Sequence, residues 1–159
     1  MKVVSTICLA VLFTSCYSYK VFPVEDRNFV YTGKKQIAYV RNTELLKEYE
    51  ILKHAGIFEL TDDSTRAELT LQLSPVKTRY GCSQGAVVTM ATLGQLPVYF
   101  ADFYGFEFAE LKGTDTVRHQ FQLTVAKRFW FWDMFCFKKQ FSEKAGRALA
   151  SSYAKATNK

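Results

Sequence analysis

Phe106-Glu107-Phe108-Ala109-Glu110-Leu111-Lys112-Gly113-Thr114-Asp115-Thr116-Val117-Arg118-His119-Gln120-Phe121-Gln122-Leu123-Thr124-Val125 is the stretch whose reading decides the fold. Phe106 and Phe108 flank Glu107, and Val117, His119, Phe121, Leu123 and Val125 alternate with polar residues. Side chains of a strand point alternately to its two faces, so a period of two marks a half-buried strand. Lys112-Gly113-Thr114-Asp115 supplies turn chemistry between the runs, and the whole reads as a β-hairpin.

Working outward, Ala67, Leu69, Leu71 and Leu73 give another alternating strand, which Pro75 is expected to end. Gln36 to Val40 reads as a short strand. Between these, Leu45, Tyr49, Leu52 and Ala55 fall on one face of a helix. Asn42 or Thr43 is its expected N-cap and Gly56 its stop. A closing helix starts near Lys138, with Phe141, Ala145, Leu149 and Tyr153 near one face. The predicted class is α+β, a mixed or antiparallel sheet of about four strands with two main helices covering one face. The predicted division is a signal segment over 1–15, a tether over 16–35 and one domain over 36–159.

The N-terminus carries an address. Lys2 precedes an apolar run from Val3 to Phe13, which is too short to span a membrane and has the layout of a secretory signal. Leu12-Phe13-Thr14-Ser15-Cys16 resembles the lipobox of bacterial lipoproteins, departing from it at Phe13, where an aliphatic residue is usual. The resemblance implies a diacylglycerated Cys16 thiol, cleavage before Cys16 and attachment to a membrane by acyl chains such as palmitate. Tyr17, in place of the Asp that retains such proteins at the inner membrane, implies an outer-membrane position facing the periplasm. An ordinary cleaved signal with an incidental cysteine is the alternative.

The order strand–helix–strand, apolar segment, strand–strand–helix is similar to that of small outer-membrane assembly lipoproteins, the lipopolysaccharide-assembly lipoproteins among them. That similarity covers element order over roughly residues 36–155 and assigns no functional residue. Gly85 to Phe100 carries no charged side chain, and its Thr92-Leu93-Gly94-Gln95-Leu96-Pro97 resembles a Thr-Leu-Gly-x-x-Pro segment of small bacterial lipoproteins. It reads either as a buried helix or loop closing the sheet or as an exposed apolar element that meets lipid or a partner. A second unusual stretch runs from Lys127 to Phe137. Phe129, Trp130, Phe131, Trp132 and Phe135 crowd both faces of an extended segment between basic residues. They are core, or they form an interaction surface.

The formal charge of +6 is dispersed, with no basic stripe interleaved with stacking aromatics. Nucleic acid is therefore not an expected partner, and mild attraction to anionic lipid is. With Cys8 in the signal and Cys16 acylated, Cys82 and Cys136 remain for a disulfide that an oxidising compartment permits, or stand as two separate thiols. His54 lies at a helix end. His119 sits on the apolar face of a strand, as a hydrogen-bonded core residue does. Cys82 with His119 makes a weak nucleophile pair with no orienting carboxylate in view. Metal-ligand spacing and phosphate loops are missing, so no cofactor, metal or catalytic residue is assigned. The expected function is a non-enzymatic, lipid-anchored envelope component that binds or assembles with another envelope protein. The alternative is a lipid-binding or lipid-sensing module using residues 85–100 and 129–137.

Overall fold

The computed structural model describes residues 18–22, 24–80, 85–93, 95–130 and 141–157. Its elements in chain order are β1 (Ser18–Phe22), a 3-10 turn (Val24–Asn28), β2 (Gln36–Val40), α1 (Leu46–Ala55), β3 (Phe58–Thr61), β4 (Leu69–Tyr80), α2 (Gly85–Ala91), β5 (Val98–Lys112), β6 (Asp115–Phe129) and α3 (Phe141–Thr157). The described strands form one mixed sheet in the order β1-β6-β5-β4-β2-β3. β2 runs parallel to β3 and β4, and the other neighbours pair antiparallel.

The α+β class and the two main helices on one face hold, but the sheet has six strands rather than about four. The additional strands, β1 and β3, are five and four residues long and lie at the two edges. Runs that short barely establish a period. β1 also changes the reading of residues 16–35. Residues expected to be tether pair with β6, and Val21 is wholly buried. The 3-10 turn that follows is fastened to α3. Ser151 Oγ donates to the buried Asp26 Oδ1 at 2.6 Å, Lys155 Nζ lies 2.9 Å from the same oxygen, and Arg147 Nη1 donates to the Arg27 carbonyl at 2.9 Å.

The hairpin is longer than its alternation marks, fifteen residues in each strand, closed at Gly113 with a positive φ of 62°. Its inward residues Tyr104, Phe106, Phe108, Phe121, Leu123 and Val125 meet Ile51 and Leu52 of α1 and Leu149 of α3 in one core. The helices cross closely at Gly146, where a Cβ would stand 2.8 Å from the Ala55 nitrogen and the His54 carbonyl carbon. Gly146 thus carries the contact between α1 and α3 that its low helix propensity would otherwise argue against.

Pro75 does not end β4. The strand continues to Tyr80 through a register shift between Ser74 and Lys77. Proline offers no N–H to a ladder and is accommodated at such an irregularity. The Val76 N–H there donates to Glu48 Oε1 of α1 at 2.8 Å, which explains a buried glutamate on a helix otherwise facing its apolar stripe to the sheet. The α1 N-cap is Leu45, without a side-chain cap. Asn42 bonds β4 instead, accepting from Leu73 N at 2.9 Å and donating to Leu73 O at 2.8 Å. Gly56 ends α1 in the left-handed conformation, as its position predicts.

Candidate surface at one end of the sheet

Register brings the two unusual stretches together. Val98 pairs with Phe129, Tyr99 with Arg128 and Phe100 with Lys127, so the end of the uncharged stretch lies beside the start of the aromatic one. On the far side of β6, Ser18 pairs with Arg128 and Lys20 with Ala126. Directly opposed residues of neighbouring strands share a face. Arg128 and Tyr99 therefore lie side by side on the face opposite the helices, and Lys20, paired with Ala126, lies on the same face.

These polar side chains are tightly engaged. Lys20 Nζ donates to the Tyr99 hydroxyl at 2.6 Å. That bond, joined by the Arg128 guanidinium and opposed by partial burial, holds the Tyr99 pKa below the ordinary phenol value. Arg128 lies 5.1 Å from the Trp130 ring centroid. Trp130 Nε1 donates to the Gln95 carbonyl at 3.0 Å and so stitches the loop after α2 to the end of β6. Trp130 and Phe129 are both partly buried.

Next to this polar group lies an apolar projection. Within residues 85–100, Val87 is 70% exposed and Leu93 84% exposed, and Val88 and Leu96 are exposed as well. These four side chains are therefore not part of a buried closure of the sheet: Val87 and Val88 face outward from the seven-residue α2, and Leu93 and Leu96 from the loop after it. Leu93 also has a positive φ of 48°. A left-handed residue after a helix is usually Gly or Asn, because a Cβ there is strained. Leu93 is thus both strained and exposed, and neither folding nor solubility accounts for its identity.

Cys16, Cys82, Cys136, Phe131, Trp132 and Phe135 lie outside the described residues. Ser18, two residues after Cys16, is at this end of the sheet. Tyr80, two before Cys82, pairs with Asp102 near the same end, as does Phe129 with Val98.

His119 lies elsewhere. It stacks on Phe108 at 5.0 Å, and its Nε2 faces Glu110 Oε1 at 3.1 Å. Both atoms are out of solvent and neither has a hydrogen-bond partner among the described residues. This carboxylate was not legible from the sequence, because it becomes a neighbour only through the diagonal across β5 and β6. Six residues of β6 separate His119 from Val125, the level of Tyr80 and Asp102. At ~3.3 Å per residue this puts His119 roughly 20 Å along the strand from that level; the Cys82 of the suggested nucleophile pair lies outside the described residues. Near the hairpin turn, Tyr31, Lys34, Phe58, Glu68 and Tyr153 line an open concavity of about 360 Å³. Among the described residues, no three His, Cys, Asp or Glu side chains gather to hold a metal ion, and no helix is long and apolar enough to cross a membrane.

No protein-family model matches the chain, and no curated protein matches it. Among solved structures it is similar to the rare lipoprotein B of Shewanella oneidensis, at 16% identity and a TM-score of 0.41, over 78% of this chain and 98% of that one.

Proposed function

We propose that this chain is an exported lipoprotein of the bacterial cell envelope, acylated on Cys16 and serving as a non-enzymatic binding or assembly component. The observation that carries the proposal is the meeting of three sequence features at one end of the sheet: the strand that begins just after Cys16, the exposed apolar α2 segment, and the basic-aromatic end of β6. Its expected position is the outer membrane, facing the periplasm. One acyl chain holds a protein weakly, whereas two or more hold it stably, so the anchor accounts for residence without a spanning helix.

Mass spectrometry of the mature N-terminal peptide should find Cys16 as the first residue, bearing diacylglycerol. Cys16→Ser should move the protein from the membrane fraction to the soluble fraction. An unmodified N-terminus in a membrane-bound protein refutes the proposal.

A second reading is favoured by the outward apolar side chains of α2: a module that binds or senses lipid through residues 85–100 and 129–137. A Cys82–Cys136 disulfide belongs to the same proposal, since an oxidising compartment permits it. Non-reducing peptide mapping should recover that cross-link.

A further inference from the structure

We propose that the α2 end of the domain lies flat against the leaflet that holds the acyl chains of Cys16. In this pose Val87, Val88 and Leu93 sit at the boundary between headgroups and acyl chains, and Lys20 and Arg128 stand over anionic phospholipid headgroups. The inference rests on the acylation of Cys16 proposed above and adds an orientation to it.

The length of chain outside the structure sets the reach. Cys16 is two residues before Ser18, and an extended chain spans at most ~3.6 Å per residue, so the anchor begins within about 7 Å of β1. That is less than the depth of a headgroup layer, and β1 is not a loose strap. It is hydrogen-bonded along its length to β6 and its Val21 is in the core. An acylated Cys16 therefore holds this end of the sheet, rather than the whole domain, at the bilayer surface.

The chemistry of that end matches such a surface. From residue 85 to residue 100 no side chain is charged, so no ionised group in the projecting segment opposes its approach to an apolar boundary. Leu93, strained and exposed in water, gains there what it lacks in solution. Lys20 and Arg128 lie beside the amphipathic rings of Tyr99 and Trp130, and Trp130 is bonded to the Gln95 carbonyl in the same loop as Leu93. Aromatic rings with a polar edge settle at headgroup depth, and each basic side chain near an anionic leaflet adds attraction.

The orientation has a consequence for partners. β5 and β6 rise away from this end for fifteen residues each, which at ~3.3 Å per residue carries the Gly113 turn about 45–50 Å along the strands. The concavity around Tyr31 and Tyr153 lies toward that distal end, where a protein partner can approach without competing with lipid.

The test uses the full acylated protein in phosphatidylcholine vesicles containing phosphatidylglycerol. Trp132→Phe leaves Trp130 as the single tryptophan. Lipids brominated near the top of the acyl chain should quench Trp130 emission. Val87→Asp and Leu93→Asn should each lower that quenching by about half or more, with the acyl mass on Cys16 unchanged. Leu93→Asn guards against misfolding, since asparagine suits the left-handed backbone better than leucine. Replacing phosphatidylglycerol by phosphatidylcholine, or Lys20 by Glu, should reduce quenching further. Trp130 emission indifferent to brominated lipid in a protein that carries its acyl chains overturns the inference and leaves the anchor standing. Quenching that survives Val87→Asp and Leu93→Asn overturns it too, as does chain-to-chain cross-linking through residues 87 and 93, which marks a protein contact. Absence of acyl mass on Cys16 refutes the anchor instead.

Discussion

The face of the sheet under α1 and α3 and the end that carries α2 follow opposite rules. Under the helices, Phe106, Phe108, Ile51 and Leu149 are fully hidden. Among the described residues, the four buried polar ones are partnered: Glu48 by Val76, Asp26 and Ser151 by each other, and Asp102 by the Tyr104 hydroxyl; the half-buried His119–Glu110 pair is the exception. At the α2 end, apolar side chains face outward, and one of them is held in a strained conformation. A surface arranged only for folding would not look like this, since hydrophobic burial is the main favourable term in folding. The first region is built for stability; the second, on the proposal above, is built for contact with lipid.

Substitutions should separate the two. The largest expected effect is in the core: Phe106→Ala should cost about 3–5 kcal/mol of folding stability in urea denaturation. Gly146→Ala comes next. An exposed helical glycine gains stability on becoming alanine, but here the added methyl meets the backbone of α1, so a loss of about 1–3 kcal/mol is expected. Glu48→Ala leaves the Val76 N–H without its acceptor and should also cost about 1–3 kcal/mol, with Glu48→Gln recovering much of it.

Alkaline pH probes the same region more gently. Burial, then the charge of Glu110 and the neighbouring Tyr31, push the Tyr153 hydroxyl up to about 12. Burial, with Asp102 next, raises that of Tyr104 as well. In the unfolded chain both titrate near 10. Above that pH the unfolded state loses protons that the folded state keeps, so this contribution is complete below pH 10 and is lost as pH rises toward the folded values. Urea midpoints measured across this range should fall, and Tyr153→Phe should flatten the decline.

The smallest effect on stability belongs to the α2 end. Val87→Asp should stay within about 0.5 kcal/mol of the parent. Leu93→Asn should be neutral or stabilising by up to about 1 kcal/mol, because it relieves the left-handed strain. A large loss at either position would mean that α2 belongs to the folding core and would dissolve the contrast between the regions.

The legible parts of the fold were those with a long period. The β5–β6 hairpin, the α1 stripe ending at Gly56, and the α3 face bearing Ala145 and Leu149 repeat often enough to be read one element at a time. β1 and β3 were hidden because four or five residues barely define a period. Pro75 misled because its missing N–H coincides with a bulge, a matter of strand pairing. Asn42 read as a cap but bonds Leu73, and Glu48 bonds Val76, partners some thirty positions away. Trp130 and the 85–100 segment were singled out by composition, but their mutual contact through Gln95 was not visible.

By itself the sequence determined the α+β class, the hairpin, the two covering helices and the expectation of an acylated Cys16. Those depend on local periodicity and on short motifs, which each stretch carries within itself. Tertiary structure alone decided that residues 18–22 are an edge strand and that α2 points outward. It also decided that the segment after Cys16, the uncharged stretch and the end of β6 share one end of the sheet. Strand order and register fix those juxtapositions, and both arise from pairing between segments up to about a hundred residues apart, which no window of the chain contains.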